Sequence, residues 1–362
     1  MVELAVLGAG CGGHAMAADL SLAGFKVNLV ELPRFEEKII AIRKRGGIEI
    51  SGSARIGTVM PNMVTTDVKE AVTDVDVVMF TVPVYGHKTF LDACLPYLRN
   101  GQILVFNTAY YAGLRFGKEI KKLDKKGVLV AETPSLIYLC RHVAPAHVFV
   151  DGLKRFLQVA AFPAEDTGAV VDVLREAYPQ LTPAGNVLET SLSNQNAIFH
   201  IPVYLANSAS VEREKAEYSI TVADAVTPSV ARIMDSMDTE RRALGEALGI
   251  RVLSIGESIR KYYGTEGRST YELIQNCKPY STYVYRFQNG KNPYLTEDWA
   301  YGLIPMASLA RDLRIQSPTI ESLITMGSVI DGTDYWREGL TTDKLCLGGL
   351  NPSEMIRFVT ER

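Results

Sequence analysis

Two groups of residues in this chain have types and spacings that could do chemistry. The first is Gly8-Ala9-Gly10-Cys11-Gly12-Gly13, which fits GxGxxG on Gly8, Gly10 and Gly13 and follows the mostly apolar run Glu3–Leu7. In such a turn the first glycine permits the tight bend, and the second lets backbone approach a pyrophosphate. The third lets a helix pack closely on a strand. The helix that follows offers unpaired N–H groups and a partial positive charge to phosphates. Glu31 stands 18 residues beyond Gly13, at the end of a second strand, Phe25–Val30. An acid there hydrogen-bonds ribose hydroxyls. Gly8, Gly10, Cys11, Gly12, Gly13 and Glu31 are therefore expected to contact a dinucleotide; a glycine turn with no ligand is the alternative. A carboxylate repels a 2′-phosphate, so Glu31 favours NAD, and the nearby Arg34 softens that preference toward NADP.

The second group centres on histidine, whose ordinary pKa near neutrality suits it to moving the proton that accompanies hydride transfer. Of His14, His87, His142, His147 and His200, the last has the most suggestive setting. Leu192–Pro202 reads as one helix, Asn196 and His200 lie four apart and so share a face, and Pro202 should kink the helix. A satisfied core histidine is the competing reading. His87 follows a strand end and reads as a cleft residue, His14 lines the glycine loop or faces solvent, and His147 reads as solvated loop. Thr296-Glu297-Asp298 reads as a helix cap with two acids in the first turn. Either the acids offset the macrodipole or one of them orients a histidine. Arg141 could hold a carboxylate bidentately.

These residues need a scaffold, and the pattern of elements supplies one. Strand-like and helix-like segments alternate from residue 1 to about 185. Val75–Val82, apolar but for Asp76 and Thr81, reads as a strand of the kind buried on both faces of a parallel sheet, and Pro83 ends it. Val82 and Pro83 thus fall on the carboxyl edge, where ligands bind in such sheets, and join the expected cofactor contacts. Ile48–Ile50 and Ala54–Val59 read as a small hairpin, and Gln102–Phe106, Gly127–Ala131 and Phe156–Phe162 as further strands. Beyond Pro183-Ala184-Gly185 helical patterns dominate, beginning with Thr227 as cap and Pro228 at the first helical position. Further helices are expected near 252–263, 269–277, 297–313, 318–330 and 352–360, with a loop over 278–294. The expected architecture is an α/β doubly wound parallel-sheet domain, residues 1–185, followed by an all-helical domain, residues 186–362. A cleft between the two domains would bring cofactor and substrate together.

Composition agrees with a soluble enzyme of 362 residues. Apolar residues make up 47% and charged residues 22%, which excludes wholesale disorder. The 38 basic and 41 acidic residues leave a net charge of −3, which argues against a nucleic-acid partner. No apolar run approaches the ~18–20 residues of a membrane helix, so no membrane partner is expected. The apolar start lacks a basic stretch and carries Glu3, unlike a signal peptide. Five scattered cysteines with no CxxC fit free thiols in a reducing cytoplasm and no metal site.

Several segments together resemble the opine dehydrogenases, the octopine and nopaline dehydrogenase family. They are Asn194-x-Asn196-x-x-x-His200-x-Pro202, Thr227-Pro228-Ser229-Val230, Met237-Asp238-x-Glu240-Arg241 with Ala247-Leu248-Gly249, and Thr296-Glu297-Asp298-x-x-x-Gly302-Leu303-x-Pro305. Ala131-Glu132-Thr133-x-Ser135-Leu136-x-Tyr138-x-Cys140-Arg141 and the C-terminal Glu338-Gly339 before Leu347-x-Gly349-Leu350 belong to the same pattern. The resemblance implies a Rossmann domain with a helical substrate domain; the sequence leaves the oligomeric state open, a homodimer among the options. It also implies a reaction in which an amino acid condenses with a 2-keto acid and NAD(P)H reduces the imine. His200 would be the acid/base residue, Asp298 its charge partner and Asn196 a substrate ligand. The family pattern has an arginine directly before the tyrosine of Tyr-x-x-Glu-Asp; here Pro293 stands there, before Tyr294. Arg141, Arg241, Arg286 or Lys291 would then supply the charge, or the substrate lacks that carboxylate. Arg241 falls on the otherwise apolar stripe of its helix, where its other role is a buried ion pair. A reductase of a simple keto or hydroxy acid and a non-catalytic NAD-binding sensor are the alternatives.

Overall fold

The computed structural model describes residues 1–123, 125, 127–214, 218–286 and 293–361, with the backbone alone at 214, 293 and 294. It divides into two compact units, Met1–Thr190 and Ser191–Glu361, whereas the change in sequence character falls near 185.

The strands of the first unit are β1 Leu4–Leu7, β2 Val27–Val30, β3 Ile48–Gly52, β4 Gly57–Val59, β5 Met63–Thr65, β6 Val77–Phe80, β7 Ile103–Asn107, β8 Leu129–Thr133, β9 Tyr138–Ala144, β10 His147–Leu153, β11 Leu157–Phe162 and β12 Leu181–Pro183. Eight of them form a sheet in the order β12-β11-β8-β7-β6-β1-β2-β5. From β5 to β8 every pairing is parallel, and β11 joins β8 antiparallel. The chain runs outward from β1 to β5, returns to β6 beside β1, and runs outward again. The carboxyl ends of β1 and β6 therefore form the switch point at which such sheets bind ligands. The central strands are apolar throughout because helices cover both faces. Leu7, Phe80, Leu104, Phe106 and Val130 meet Phe90, Leu91, Phe116 and Ile120 on one side.

The 48–59 excursion is a hairpin, as its sequence suggests, but it belongs to something larger. β4, β3, β10 and β9 make a second, four-stranded sheet. Residues 138–153 carry no uninterrupted apolar run, and their burial alternates, which conceals two strands. The helix α1, Cys11–Leu22, packs against β1 and β2 and also against β3, β9 and β10. Burial on all sides explains why Gly12 through Leu20 are all buried and the helix is hardly amphipathic. Its one buried acid, Asp19, is satisfied by Tyr138 Oη at 2.8 Å and by the backbone and guanidinium of Arg55.

The second unit is helical except for a two-stranded ribbon, β13 Ser219–Thr221 with β14 Val284–Arg286. The ribbon corrects the expectation of helices alone and of a loop over 278–294. Its backbone is extended by pairing across more than 60 residues, which local patterning does not show. Thr227 caps the helix Pro228–Ala247 as expected, accepting from the Val230 N–H. Arg241 on that helix is fully buried. Its guanidinium bonds Asp238 and the carbonyls of Leu192 and Leu253, and the other Asp238 oxygen accepts from the Ile255 N–H. One side chain thus ties two helix ends, at Leu192 and Leu253, to the middle of its own helix. Among the described residues no helix is long and apolar enough to cross a membrane.

Candidate active site

The glycine loop lies at the switch point and is built by exclusion. Gly8 has φ +100°, and a Cβ there would stand 2.3 Å from Val82 Cγ1. A Cβ on Gly13 would stand 1.8 Å from the Gly8 carbonyl oxygen, and one on Gly12 2.7 Å from Leu136 Cδ1. Gly10 is different: a Cβ there would meet nothing within 4 Å, and its φ of −80° suits any residue. The chain itself therefore has no need of glycine at 10, and the open space lies at the start of α1. No side chain caps that helix and no acid sits in its first turn. The helix begins at Cys11, so Cys11, Gly12 and Gly13 form its first turn.

Glu31 is buried and fixed beside this loop. Its Oε2 accepts from the Ala9 N–H and from Lys38 Nζ, both at 3.0 Å, and its Oε1 from the Leu32 N–H at 2.9 Å. Lys38 and Arg34 both lie over the Phe35 ring, and Lys38 is the one paired with the acid. Val82 touches Gly8, and Pro83 caps the helix Val84–Cys94. Two features here escape sequence patterning. Thr81 Oγ1 supports the loop by donating to the carbonyls of Leu7 and Gly8, and Thr108, Tyr110 and Tyr111, after β7, all have positive φ. Such strain in non-glycine residues gathers at functional edges, and spacing gives no sign of it.

Among the other histidines of the first unit, His87 and His147 depart from their expected settings, and His14 lines the glycine loop and does not face solvent. His87 is fully buried among Phe80, Phe106 and Phe116, so it belongs to the core and not to a cleft, and burial holds its pKa well below the usual value. His14 is also buried. Its Nδ1 lies 3.0 Å from the Gly10 carbonyl, and burial followed by the neighbouring His142 lowers its pKa to about 4. His147 lies on β10, not in a loop, with Nε2 3.0 Å from Ser51 Oγ. Arg141, on β9, is already matched: its Nε lies 3.2 Å from the buried Asp151 carboxylate, and its guanidinium covers Phe149.

In the second unit the structure joins two residues 98 positions apart. His200 Nδ1 stands 2.7 Å from Asp298 Oδ2, with Asp298 fully buried and the imidazole one-fifth exposed. A carboxylate only accepts, so Nδ1 carries the hydrogen and Nε2 is left for chemistry. Ser193-Asn194-Gln195 separates two helices, which corrects the reading of 192–202 as one. The chain turns there as Leu192 O bonds Arg241 and Asn194 Oδ1 accepts from the Asn196 N–H at 2.9 Å. Asn196 therefore opens the helix Asn196–Glu214, one turn before His200, and Pro202 lies inside it. Thr296 is not a cap. It lies within the helix Pro293–Glu297, and Asp298 opens a π-helix, Asp298–Leu303, held by Trp299 stacked on Tyr335. Glu297 and Asp298 are both buried, so neither is a solvated acid compensating a dipole. The wider turn of a π-helix is a frequent mark of functional sites.

The arginines fare differently. Arg241 is spent on Asp238 and two carbonyls, so its role is the buried ion pair and not a substrate contact. Tyr285 meets the His200 ring edge-on at 5.6 Å, whereas Arg286, next along β14, is exposed and points to the opposite face. Lys291 lies outside the described residues.

Residues 183–330 match the family model of the NAD/NADP octopine/nopaline dehydrogenase alpha-helical domain, and residues 3–110 that of the coenzyme F420-dependent NADP oxidoreductases. An opine dehydrogenase of Arthrobacter sp. (strain 1C) is 32% identical over 348 residues, covering 96% of this chain and 95% of that one. The chain belongs to the opine dehydrogenase family. Among solved structures, an octopine dehydrogenase in complex with NADH and agmatine superposes with a TM-score of 0.75 at 18% identity, over 100% of this chain and 99% of that one. An NADP+-bound yersinopine dehydrogenase superposes with 0.69 at 15% identity, over 99% and 98%. The fold of the opine dehydrogenases, a parallel-sheet nucleotide domain and a helical domain, is thus the fold of this chain.

Proposed function

We propose that the chain is an NAD(P)H-dependent opine dehydrogenase that joins the amine of an amino acid to a 2-keto acid and reduces the resulting imine. The His200–Asp298 pair carries this reading. A mostly sheltered imidazole held by a fully buried carboxylate is an acid/base group with one nitrogen committed and one available. The residues of the first unit fit a dinucleotide, because Gly10 leaves room that only an outside group would need. The first-turn N–H groups of Cys11, Gly12 and Gly13 would face its pyrophosphate. Glu31 would take the ribose hydroxyls, and Val82 and Pro83 would line the edge. When bound, the dinucleotide supplies the hydride. Glu31 favours NADH, and Lys38 with Arg34 brings the charge by which NADPH is also taken.

His200 Nε2 removes a proton from the amino acid's ammonium group, and the freed lone pair adds to the keto carbon. The same nitrogen returns that proton to the carbinolamine oxygen, then takes a second proton from the added nitrogen and delivers it to the hydroxyl, which leaves as water and yields the iminium. Asp298 stabilises the imidazolium formed between these steps, and Asn196, one turn away, holds the substrate through its amide. Matched octopine dehydrogenase structures hold NADH with L-arginine or with pyruvate, an amino acid and a 2-keto acid. A homodimer in the cytoplasm, with its cysteines free, belongs to the same reading.

The test is a matrix of amino acids against 2-keto acids with NADH and NADPH, read by absorbance. Oxidation should require both partners, and His200→Asn should lower kcat by about 10²–10⁴ with the fold intact. Equal oxidation with keto acid alone would overturn the reading in favour of a simple keto-acid reductase.

A further inference from the structure

Cys11 opens α1 and is only partly buried, directly after the open space at Gly10. Its Sγ stands 3.4 Å from Nδ1 of His142 on β9. The other nitrogen of that ring, Nε2, is buried with no hydrogen-bond partner among the described residues. His14 meets the same ring edge-on at 4.7 Å. A thiol, an imidazole and a helix N-terminus therefore converge on one point. Each favours loss of the thiol proton: the imidazole as acceptor, the helix end by its partial positive charge. Burial and Lys38 lower the His142 pKa, so the ring is a neutral base at physiological pH.

We infer that Cys11 is a peroxide-reactive modification site, activated by His142, whose oxidation blocks dinucleotide binding at the glycine loop. The blocking half rests on the cofactor reading above; the reactivity does not. His142 Nδ1 takes the thiol proton, and the thiolate attacks one oxygen of hydrogen peroxide. The O–O bond breaks, the sulfur–oxygen bond forms, and the departing hydroxide takes the proton back from His142 to leave as water. Sulfur loses two electrons and peroxide gains them, giving a sulfenic acid that a thiol reductant reverses. The added oxygen stands on the first residue of α1, where the phosphates would meet its N–H groups.

The other cysteines provide the comparison inside the same molecule. Cys94, Cys140 and Cys277 are buried, and Cys346 is exposed but lies in no thiol–histidine pair among the described residues. If access alone governed oxidation, Cys346 would react first. The full chain is treated with hydrogen peroxide, sulfenic acid is trapped with dimedone, and the labelled peptides are quantified by mass. Cys11 should label at least tenfold faster than Cys346, and His142→Phe should slow Cys11 at least tenfold while the Cys346 rate and the melting temperature stay unchanged. NADH should protect Cys11, and peroxide should abolish NADH binding until dithiothreitol restores it. Labelling of Cys346 at least as fast as Cys11 in the unmutated protein, which needs no variant to fold, would overturn the inference while leaving the enzyme reading standing. Fast labelling of Cys11 in a protein that does not bind NADH would instead uphold the activated thiol and count against the cofactor reading.

Discussion

The glycine loop and the His200 pair solve opposite problems. At the loop, side chains are removed so that backbone can approach something outside the chain, and three of the four glycines are compelled by near neighbours within the first unit. At the histidine, side chains 98 residues apart are driven together, and a fully buried carboxylate meets the imidazole. The loop can be written in six consecutive residues. The pair depends on a buried frame, with Arg241 setting where the helix of Asn196 and His200 begins. A site made by exclusion should tolerate loss of distant contacts and fail on one added methyl group. A site made by assembly should do the reverse.

The harshest test of the second half of that contrast is Arg241→Met. The change leaves the Asp238 carboxylate buried without its cation and frees the Leu192 and Leu253 carbonyls. Removing one partner of a buried pair costs about 3–5 kcal/mol. Denaturant unfolding should show a loss of that size. NADH titration of the protein that remains folded should give an unchanged Kd, because the loop belongs to the other unit. A variant as stable as the parent would mean that Arg241 does not hold the frame.

The converse test uses two alanines three residues apart. Gly13→Ala drives a methyl group into the Gly8 carbonyl and should destabilise the chain by about 3 kcal/mol, the upper range for overpacking. Gly10→Ala meets nothing within 4 Å and should leave stability within about 0.5 kcal/mol of the parent while weakening NADH at least tenfold. Melting curves and NADH fluorescence separate the two. If both variants lost stability and neither lost affinity, the space at Gly10 would not be a cofactor cradle.

What could be read in advance follows the same division. The glycine turn, the central strands and the Thr227 cap are local, each fixed by neighbours a few residues away, and all were legible. β9 and β10 were hidden because their alternation mixes histidine, arginine and acid with apolar residues, and the ribbon of β13 and β14 because it joins distant segments. Thr296 misled because Ser/Thr before acids is the pattern of a cap, and only tertiary packing of Trp299 shows that the chain is already helical there. The His200–Asp298 contact is implied by the family resemblance; spacing alone leaves His200 better explained as a core histidine. Arg141 and Arg241 looked like spare charges because nothing in the sequence names Asp151 and Asp238 as their partners.

The gentlest test compares a histidine with an acid partner to one without. His14 is buried against a carbonyl and a second imidazole, with no hydrogen-bonded carboxylate, and its pKa falls from 6.5 to about 4. The unfolded chain then binds the proton that the folded chain refuses, so the neutral ring supports stability above pH 6.5, and that support is lost as pH falls from 6.5 toward 4. Between pH 7 and pH 5 this amounts to about 2 kcal/mol, taking one pKa unit as 1.36 kcal/mol. His87 acts in the same direction, so His14→Gln should flatten the decline without abolishing it. Urea midpoints of the full chain at pH 7 and pH 5, with and without His14→Gln, measure the difference. An identical decline in both proteins would mean that His14 keeps a solvent-accessible proton, and that α1 packs less tightly between its two sheets than the buried run from Gly12 to Leu20 requires.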